Sequence, residues 1–180
     1  MSCEQKMKIM NAFITSHFGY CSLIWMCHNR KINKQINKIH ERALRIVYVD
    51  NTSNFDELLK RSKSVSIHNR NIQHLAIEIY KSIHSSSPTL MSEIFVEKKS
   101  NHNLRKNNAL VPIRPISTKF GLNSISHLAS KLWELLPEDI KNANTLSIFK
   151  RKIKSWTPEK CPCNNCREYI DGVGFIFEKF

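Results

Sequence analysis

The segment RKINKQINKIHERALRIVYVD has the most regular pattern of apolar and polar positions in the chain. Its apolar residues step by four, three, four and three, which is the spacing of one helical face; they are Ile32, Ile36, Ile39, Ala43 and Ile46. Basic residues occupy other faces, and Glu41 is the only acid before Asp50. The pattern predicts a helix that buries its isoleucine stripe and directs its basic residues outward.

Similar periodicity recurs along the rest of the chain. It predicts helices over about 4–27, 53–61, 65–84, 124–136 and 144–156. We expect Gly19 to bend the first, Ser53 to begin the second, and Asn144 or Thr145 to cap the last. Pro88 and Pro137 are expected to end the helices before them, because proline cannot continue a helix.

The stretch 97–120 lacks helical periodicity, and Pro112 and Pro115 exclude a continuous helix there. We predict extended or irregular chain, or a short hairpin around Ala109–Arg114. The complete pattern predicts a mainly α protein, a small helical bundle. Its expected parts are a helical region at 1–96, a basic irregular connection at 97–120, a two-helix region at 121–157 and a cysteine-containing tail at 158–180.

The charge of the chain is strongly positive, at +13 from 28 Lys and Arg against 15 Asp and Glu. Such an excess attracts phosphate backbones or anionic lipid. Because the bases lie on helices that also carry an apolar face, we favour nucleic acid over a solvated surface without a role. The candidate nucleic-acid contacts are Arg30, Lys31, Lys34, Lys38, Arg42, Arg45, Arg105, Lys106, Lys150, Arg151, Lys152 and Lys154.

Membrane and secretory signals are not found in this sequence. No stretch reaches the roughly 18 apolar residues that a membrane span needs. The first 29 residues lack a clean apolar run followed by a small-residue cleavage site. We therefore expect an intracellular protein of the nucleus or cytoplasm, not secreted, without a membrane partner and with its cysteines reduced.

Catalytic constellations are missing as well. The sequence has no glycine-rich phosphate loop, no GxSxG and no HExxH. It also lacks the paired aspartates that hold two Mg²⁺ ions for nucleotidyl transfer. No catalytic residue is predicted.

Half of the six cysteines fall in CPCNNC, at Cys161, Cys163 and Cys166. Three thiolates can bind Zn²⁺, but a closed structural site uses four ligands. The fourth would come from Cys3, Cys21, Cys27, a distant histidine or a second molecule. Unliganded reduced thiols and a redox role remain alternatives to zinc.

Six phrases in order, YCSLIW, RALRIVY, NLR, KLWELLP, FKRKIKSW and CPCNNC, resemble one protein family. They are similar to the C-terminal region of reverse transcriptases encoded by non-LTR retrotransposons, the jockey-like and related long interspersed elements. The resemblance runs from about Asn11 to Ile176. It implies the thumb of an RNA-directed DNA polymerase and the segment beyond it. The palm with its catalytic Mg²⁺ ions, and the fingers, would belong to a full-length parent upstream of this chain.

The resemblance also implies a function. A thumb is a small helical bundle that grips the template–primer backbone by shape and charge. We therefore expect a non-catalytic fragment that binds RNA or an RNA–DNA duplex without sequence preference. The alternatives are a zinc-dependent protein-interaction module, or a pseudogene-like product without a selected function.

Overall fold

A computed structural model of the chain describes residues 1–26, 30–95, 110 and 124–157. Within those ranges the predicted mainly α fold is confirmed. The elements are α1 Cys3–Met10, a π-helical turn Asn11–Thr15, α2 Ser16–Gly19, α3 Ser22–Trp25, α4 Arg30–Tyr48, α5 Phe55–Ser62, α6 Ile67–Ile83, α7 Thr89–Ile94, α8 Ile125–Leu135, α9 Glu138–Lys141 and α10 Leu146–Ser155. Apart from Leu110, the predicted connection at 97–120 lies outside the described residues, and so does the cysteine tail.

The predicted helix over 4–27 is divided into several pieces. A capping box between Ser2 and Gln5 begins α1, as the helix-start chemistry requires. The π-helical turn that follows widens the spacing of the hydrogen bonds by one residue, so the apolar positions beyond it rotate around the axis. Phe13, which lies within this turn, is 69% exposed. Helix α2 ends at Gly19, and the chain then turns through the extended Tyr20 and through Cys21, which has a left-handed φ of 46°.

The chain divides into two compact units, Met1–Asn71 and Ile72–Phe180, and the division falls within α6. The core of unit 1 joins α1, α4 and α5. Its buried residues are Met10, Ala43, Leu44, Val47 and Leu58. Because α4 supplies three of these five side chains, the packing of unit 1 fixes how α4 is rotated about its own axis.

Asp50 holds together the connection between α4 and α5. Its carboxylate accepts hydrogen bonds from the amides and hydroxyls of Thr52 and Ser53, and Arg61 donates to it at 2.6 Å. The bonds from Ser53, followed by those from Thr52, keep the pKa of Asp50 well below its usual range. A capping box between Asn54 and Glu57 then begins α5, one residue later than predicted.

Three helices end in the same way although none has glycine at the turn. Val49 after α4, Lys63 after α5 and Ser85 after α6 have φ values of 54°, 51° and 53°. In each case the next amide donates to the carbonyl five residues earlier, as in a Schellman motif. Glycine usually occupies this left-handed position because a side chain there is strained. The chain has four glycines in all, so these helix ends carry some strain.

Unit 2 buries the apolar faces that the sequence predicts. On α6 these residues are Ile72, Leu75, Ala76 and Ile79, and on α8 they are Leu128, Ala129, Leu132 and Trp133. The ring of Phe149 on α10 stacks on Tyr80 at 4.3 Å between centroids and on Trp133 at 6.5 Å. The Tyr80 hydroxyl donates to the Ala143 carbonyl, so this buried polar group of the aromatic cluster is satisfied.

Candidate nucleic-acid interface

The helix α4 does not bury the isoleucine stripe that its sequence predicts. Ile39 is 50% exposed and Ile46 is 67% exposed, and only Ala43 of the five stripe residues is buried. The buried row lies one residue further along the sequence: Asn33, Asn37, His40, Leu44 and Val47. The predicted burial of the stripe is therefore wrong by about 100° around the helix axis.

The physical reason lies in the packing of unit 1 and not in the apolar periodicity of α4. Three of the five buried positions are polar, so the periodicity alone favours the isoleucine stripe. In the C-terminal half of the helix, Leu44 and Val47 pack with Met10 and Leu58. Burying this pair rotates the whole helix, because α4 is one continuous element of 19 residues.

Rotation of α4 places polar side chains in the interior of unit 1. His40 is 1% exposed, and neither of its ring nitrogens has a hydrogen-bond partner among the described residues. Its ring meets Phe55 edge-on at 5.6 Å. Burial, and secondarily the positive charge of Arg70, lowers the pKa of His40 to about 4. The histidine is therefore neutral at pH 7.

The outward face of α4 is basic. Lys31, Lys34, Lys38 and Arg42 are exposed and lie on one side of the helix, over a length of about 16 Å. We call these four residues the basic strip. In the part of the chain that the structure describes, Lys31, Lys38 and Arg42 make no ion pair.

Arg45 differs from the four residues of the basic strip. It is half-buried, and its guanidinium donates to the Glu41 carboxylate at 2.7 Å. Glu41 is the only acid of α4, and this ion pair neutralises its charge. The predicted contact Arg45 is therefore engaged inside the protein.

The basic residues of α10 also separate into two groups. Lys150, Arg151 and Lys154 are exposed, and Phe149 and Ile153 bury the other side of the helix. Lys152 turns away from these three: its Nζ donates to the Asp139 carbonyl at 2.6 Å and lies 3.6 Å from the Asp139 carboxylate. Three of the four bases predicted on α10 therefore share an accessible surface.

The remaining predicted site residues are not placed by the structure. Arg30 is the first residue of α4, and its side chain lies outside what is described. The contacts Arg105 and Lys106 and the metal ligands Cys161, Cys163 and Cys166 also lie outside the described residues. Cys3 and Cys21 are exposed free thiols. Within the described ranges, no three His, Cys, Asp or Glu residues come together as metal ligands.

None of the described helices combines the length and the apolar character that crossing a bilayer requires. Comparisons of the chain with protein-family models, with curated proteins and with solved structures each find no match.

Proposed function

We propose that this chain is a non-catalytic nucleic-acid-binding module that grips the backbone of RNA or an RNA–DNA duplex without reading its sequence. The main contacts are the basic strip of α4, with Lys150, Arg151 and Lys154 of α10 as a second basic surface. In this proposal the chain is a C-terminal fragment of an RNA-directed DNA polymerase of a non-LTR retrotransposon, and it acts inside the cell, in the nucleus or cytoplasm.

The observation that carries the proposal is the basic strip itself. Its four cations are exposed on one face of a helix whose opposite side is anchored in the core of unit 1. A rigid helix holds the cations at fixed spacing, so binding phosphates orders fewer groups than it would on a flexible loop. The nearest acid on the helix, Glu41, is already paired with Arg45. These features favour contact with a polyanion.

The sequence resemblance supports the same proposal from a separate direction. Thumb regions hold the template–primer through its backbone, which requires cations at helical surfaces and no base-specific groups. The phrases RALRIVY and FKRKIKSW, which contribute to the resemblance, lie in α4 and α10. The two helices that carry the exposed cations are therefore also helices that carry the resemblance.

The test compares two double variants that remove the same charge from unit 1. Lys38→Gln/Arg42→Gln removes two cations of the basic strip, and Lys60→Gln/Lys63→Gln removes two exposed cations near the end of α5. A fluorescently labelled RNA–DNA hybrid is titrated with each purified full-length chain at low salt. We expect the strip variant to bind about tenfold or more weakly than the unaltered chain, because two phosphate contacts are lost.

The α5 variant is the matched control, and it is expected to bind within about twofold of the unaltered chain, since its charges lie outside the strip. Equal losses in both variants would mean that net charge alone attracts the nucleic acid. That result, or no binding of the unaltered chain at low salt, would refute the proposed function.

A further inference from the structure

Three aliphatic side chains beside the basic strip are exposed without a role in the core. Ile39 and Ile46 are two helical turns apart on α4, and Val49, three residues beyond Ile46, is 78% exposed. Single exposed apolar residues are normal on protein surfaces. A row of them at helical spacing, along the one helix that also carries the basic strip, is less usual.

Arg42 joins the aliphatic residues to the basic strip. It lies three residues after Ile39 and four before Ile46, and residues at these separations are neighbours on a helix surface. Its cation therefore sits between the two isoleucines. The apolar row and the cations form one mixed surface along α4.

Phosphate binding does not account for the aliphatic row, because phosphates are contacted by cations and polar groups. A membrane surface fits poorly as well. A helix that lies in a bilayer interface inserts a wide apolar face, whereas the widest apolar contact of α4 is turned into the core of unit 1. What remains exposed is a narrow aliphatic edge bordered by cations.

We propose that Ile39, Arg42 and Ile46, with Lys38 beside them, form a docking surface for an acidic amphipathic helix of a partner protein. Two isoleucines seven residues apart match the apolar positions of a helix laid alongside, as in helix-in-groove and coiled-coil recognition. Charge complementarity selects an acidic partner, because Lys38 and Arg42 form no ion pair with any acid among the described residues. A second copy of this chain, which also carries +13, would be repelled.

Docking of the partner helix would use Lys38 and Arg42, which also belong to the proposed nucleic-acid interface. The helix and the nucleic acid therefore compete, and only this competition rests on the proposed function. Docking itself requires no nucleic acid. The two proposals can fail separately, since one depends on the isoleucines and the other does not.

The test uses two labelled synthetic peptides of about 20 residues. One places leucines at heptad spacing and glutamates elsewhere; the other has the same composition in shuffled order. Binding of each peptide to the full-length chain is measured by fluorescence anisotropy. We expect the ordered peptide to bind about tenfold more tightly than the shuffled one, because only its leucines can meet both isoleucines.

Variants of the chain then locate the contact. Ile39→Ser/Ile46→Ser is expected to reduce binding of the ordered peptide about tenfold, to the level of the shuffled peptide. The same variant is expected to bind the RNA–DNA hybrid within about twofold of the unaltered chain, since no cation is lost. Leu135→Ser in unit 2, which removes another exposed aliphatic side chain, is the control and should change neither. Circular dichroism confirms that each variant is folded.

Three outcomes would overturn the docking proposal. The first is equal binding of the ordered and shuffled peptides, which would mean attraction by charge alone. The second is tight binding of the ordered peptide that Ile39→Ser/Ile46→Ser does not weaken. The third is binding to phosphatidylserine-containing vesicles, lost in the same variant, without binding of the ordered peptide; this would assign the surface to lipid. If the unaltered chain binds the ordered peptide but not the RNA–DNA hybrid, the proposed function is refuted and the docking proposal is retained.

Discussion

The helices α4 and α10 both combine basic residues with an apolar row in their sequences, but they differ in whether that row is buried. On α10 the apolar row is turned inward, with Phe149 and Ile153 buried in the core of unit 2 and Leu146 and Trp156 partly buried. On α4 the buried row is the neighbouring one, which starts with Asn33 and Asn37 and ends with Leu44 and Val47.

The difference shows what an apolar row can and cannot determine. On α10 the large aromatic ring of Phe149 stacks on Tyr80 and Trp133, so one face of the helix is clearly preferred. On α4 both rows end in aliphatic residues of similar size, and contacts with α1 and α5 decide between them. The consequences are a buried histidine and two exposed isoleucines, and each of these can be tested against a residue in a contrasting environment.

The largest expected effect is on the free energy of unfolding, and it contrasts a core residue of unit 2 with an exposed isoleucine of α4. Phe149→Ala is expected to lower the free energy of unfolding by about 3–5 kcal/mol, because it removes a fully buried ring from an aromatic stack. Ile46→Ala on α4 is expected to change it by less than about 0.5 kcal/mol, because the side chain is largely exposed. Denaturant unfolding of both variants measures the two values. Comparable losses would mean that the isoleucine row is part of the core after all.

The next effect depends on pH and concerns His40. Its pKa is about 4 in the folded chain, against about 6.5 for an unburied histidine, so the unfolded state binds the proton more tightly. Stability is therefore complete above pH 6.5, decreases as the pH falls toward 4, and has dropped by about 2 kcal/mol at pH 5. His40→Leu is expected to remove this part of the pH dependence.

The control for His40→Leu is His17→Leu, which replaces an exposed histidine and leaves the buried polar row of α4 intact. Unfolding free energies between pH 4 and pH 8 give both profiles. If His40→Leu keeps the acid-dependent loss of stability, another group causes it and the buried polar row of α4 is not responsible.

The smallest effect concerns the strained helix ends. Val49→Gly is expected to stabilise the chain by about 1–2 kcal/mol, because glycine adopts the left-handed conformation without a steric cost. Ser85→Gly after α6 should give a smaller gain, since serine is not β-branched. Thermal unfolding ranks the two variants. A larger gain at Ser85 would remove the argument that Val49 is unusually strained.

Much of the fold follows from the sequence, and the exceptions have identifiable causes. The faces of α6 and α8 were predicted because each has a single apolar row, and Thr145 caps α10 as its position before an apolar run suggests. The π-helical turn and the left-handed Cys21 were not predicted, because tertiary packing and not residue type determines them.

The candidate interface was predictable in part. The exposed cations of α4 could be listed from the sequence, but their availability depends on neighbours in space. Arg45 is engaged by Glu41, four residues away, which a sequence reading can anticipate. Lys152 is engaged by Asp139, thirteen residues away on the preceding helix, and a sequence reading cannot anticipate this contact. The buried row of α4 left little signal in the sequence, because three of its five members, Asn33, Asn37 and His40, are polar.

The salt dependence of duplex binding tests the central claim most directly, because its slope counts phosphate contacts. For each lost contact, the slope of log K against log salt concentration decreases in magnitude by about 0.9. We predict that the slope for Lys38→Gln/Arg42→Gln is smaller in magnitude than the slope for the unaltered chain by about 1.8. The slope for Lys60→Gln/Lys63→Gln is expected to equal that of the unaltered chain. An equal slope for the unaltered chain and the strip variant would contradict the assignment of the basic strip as the nucleic-acid interface.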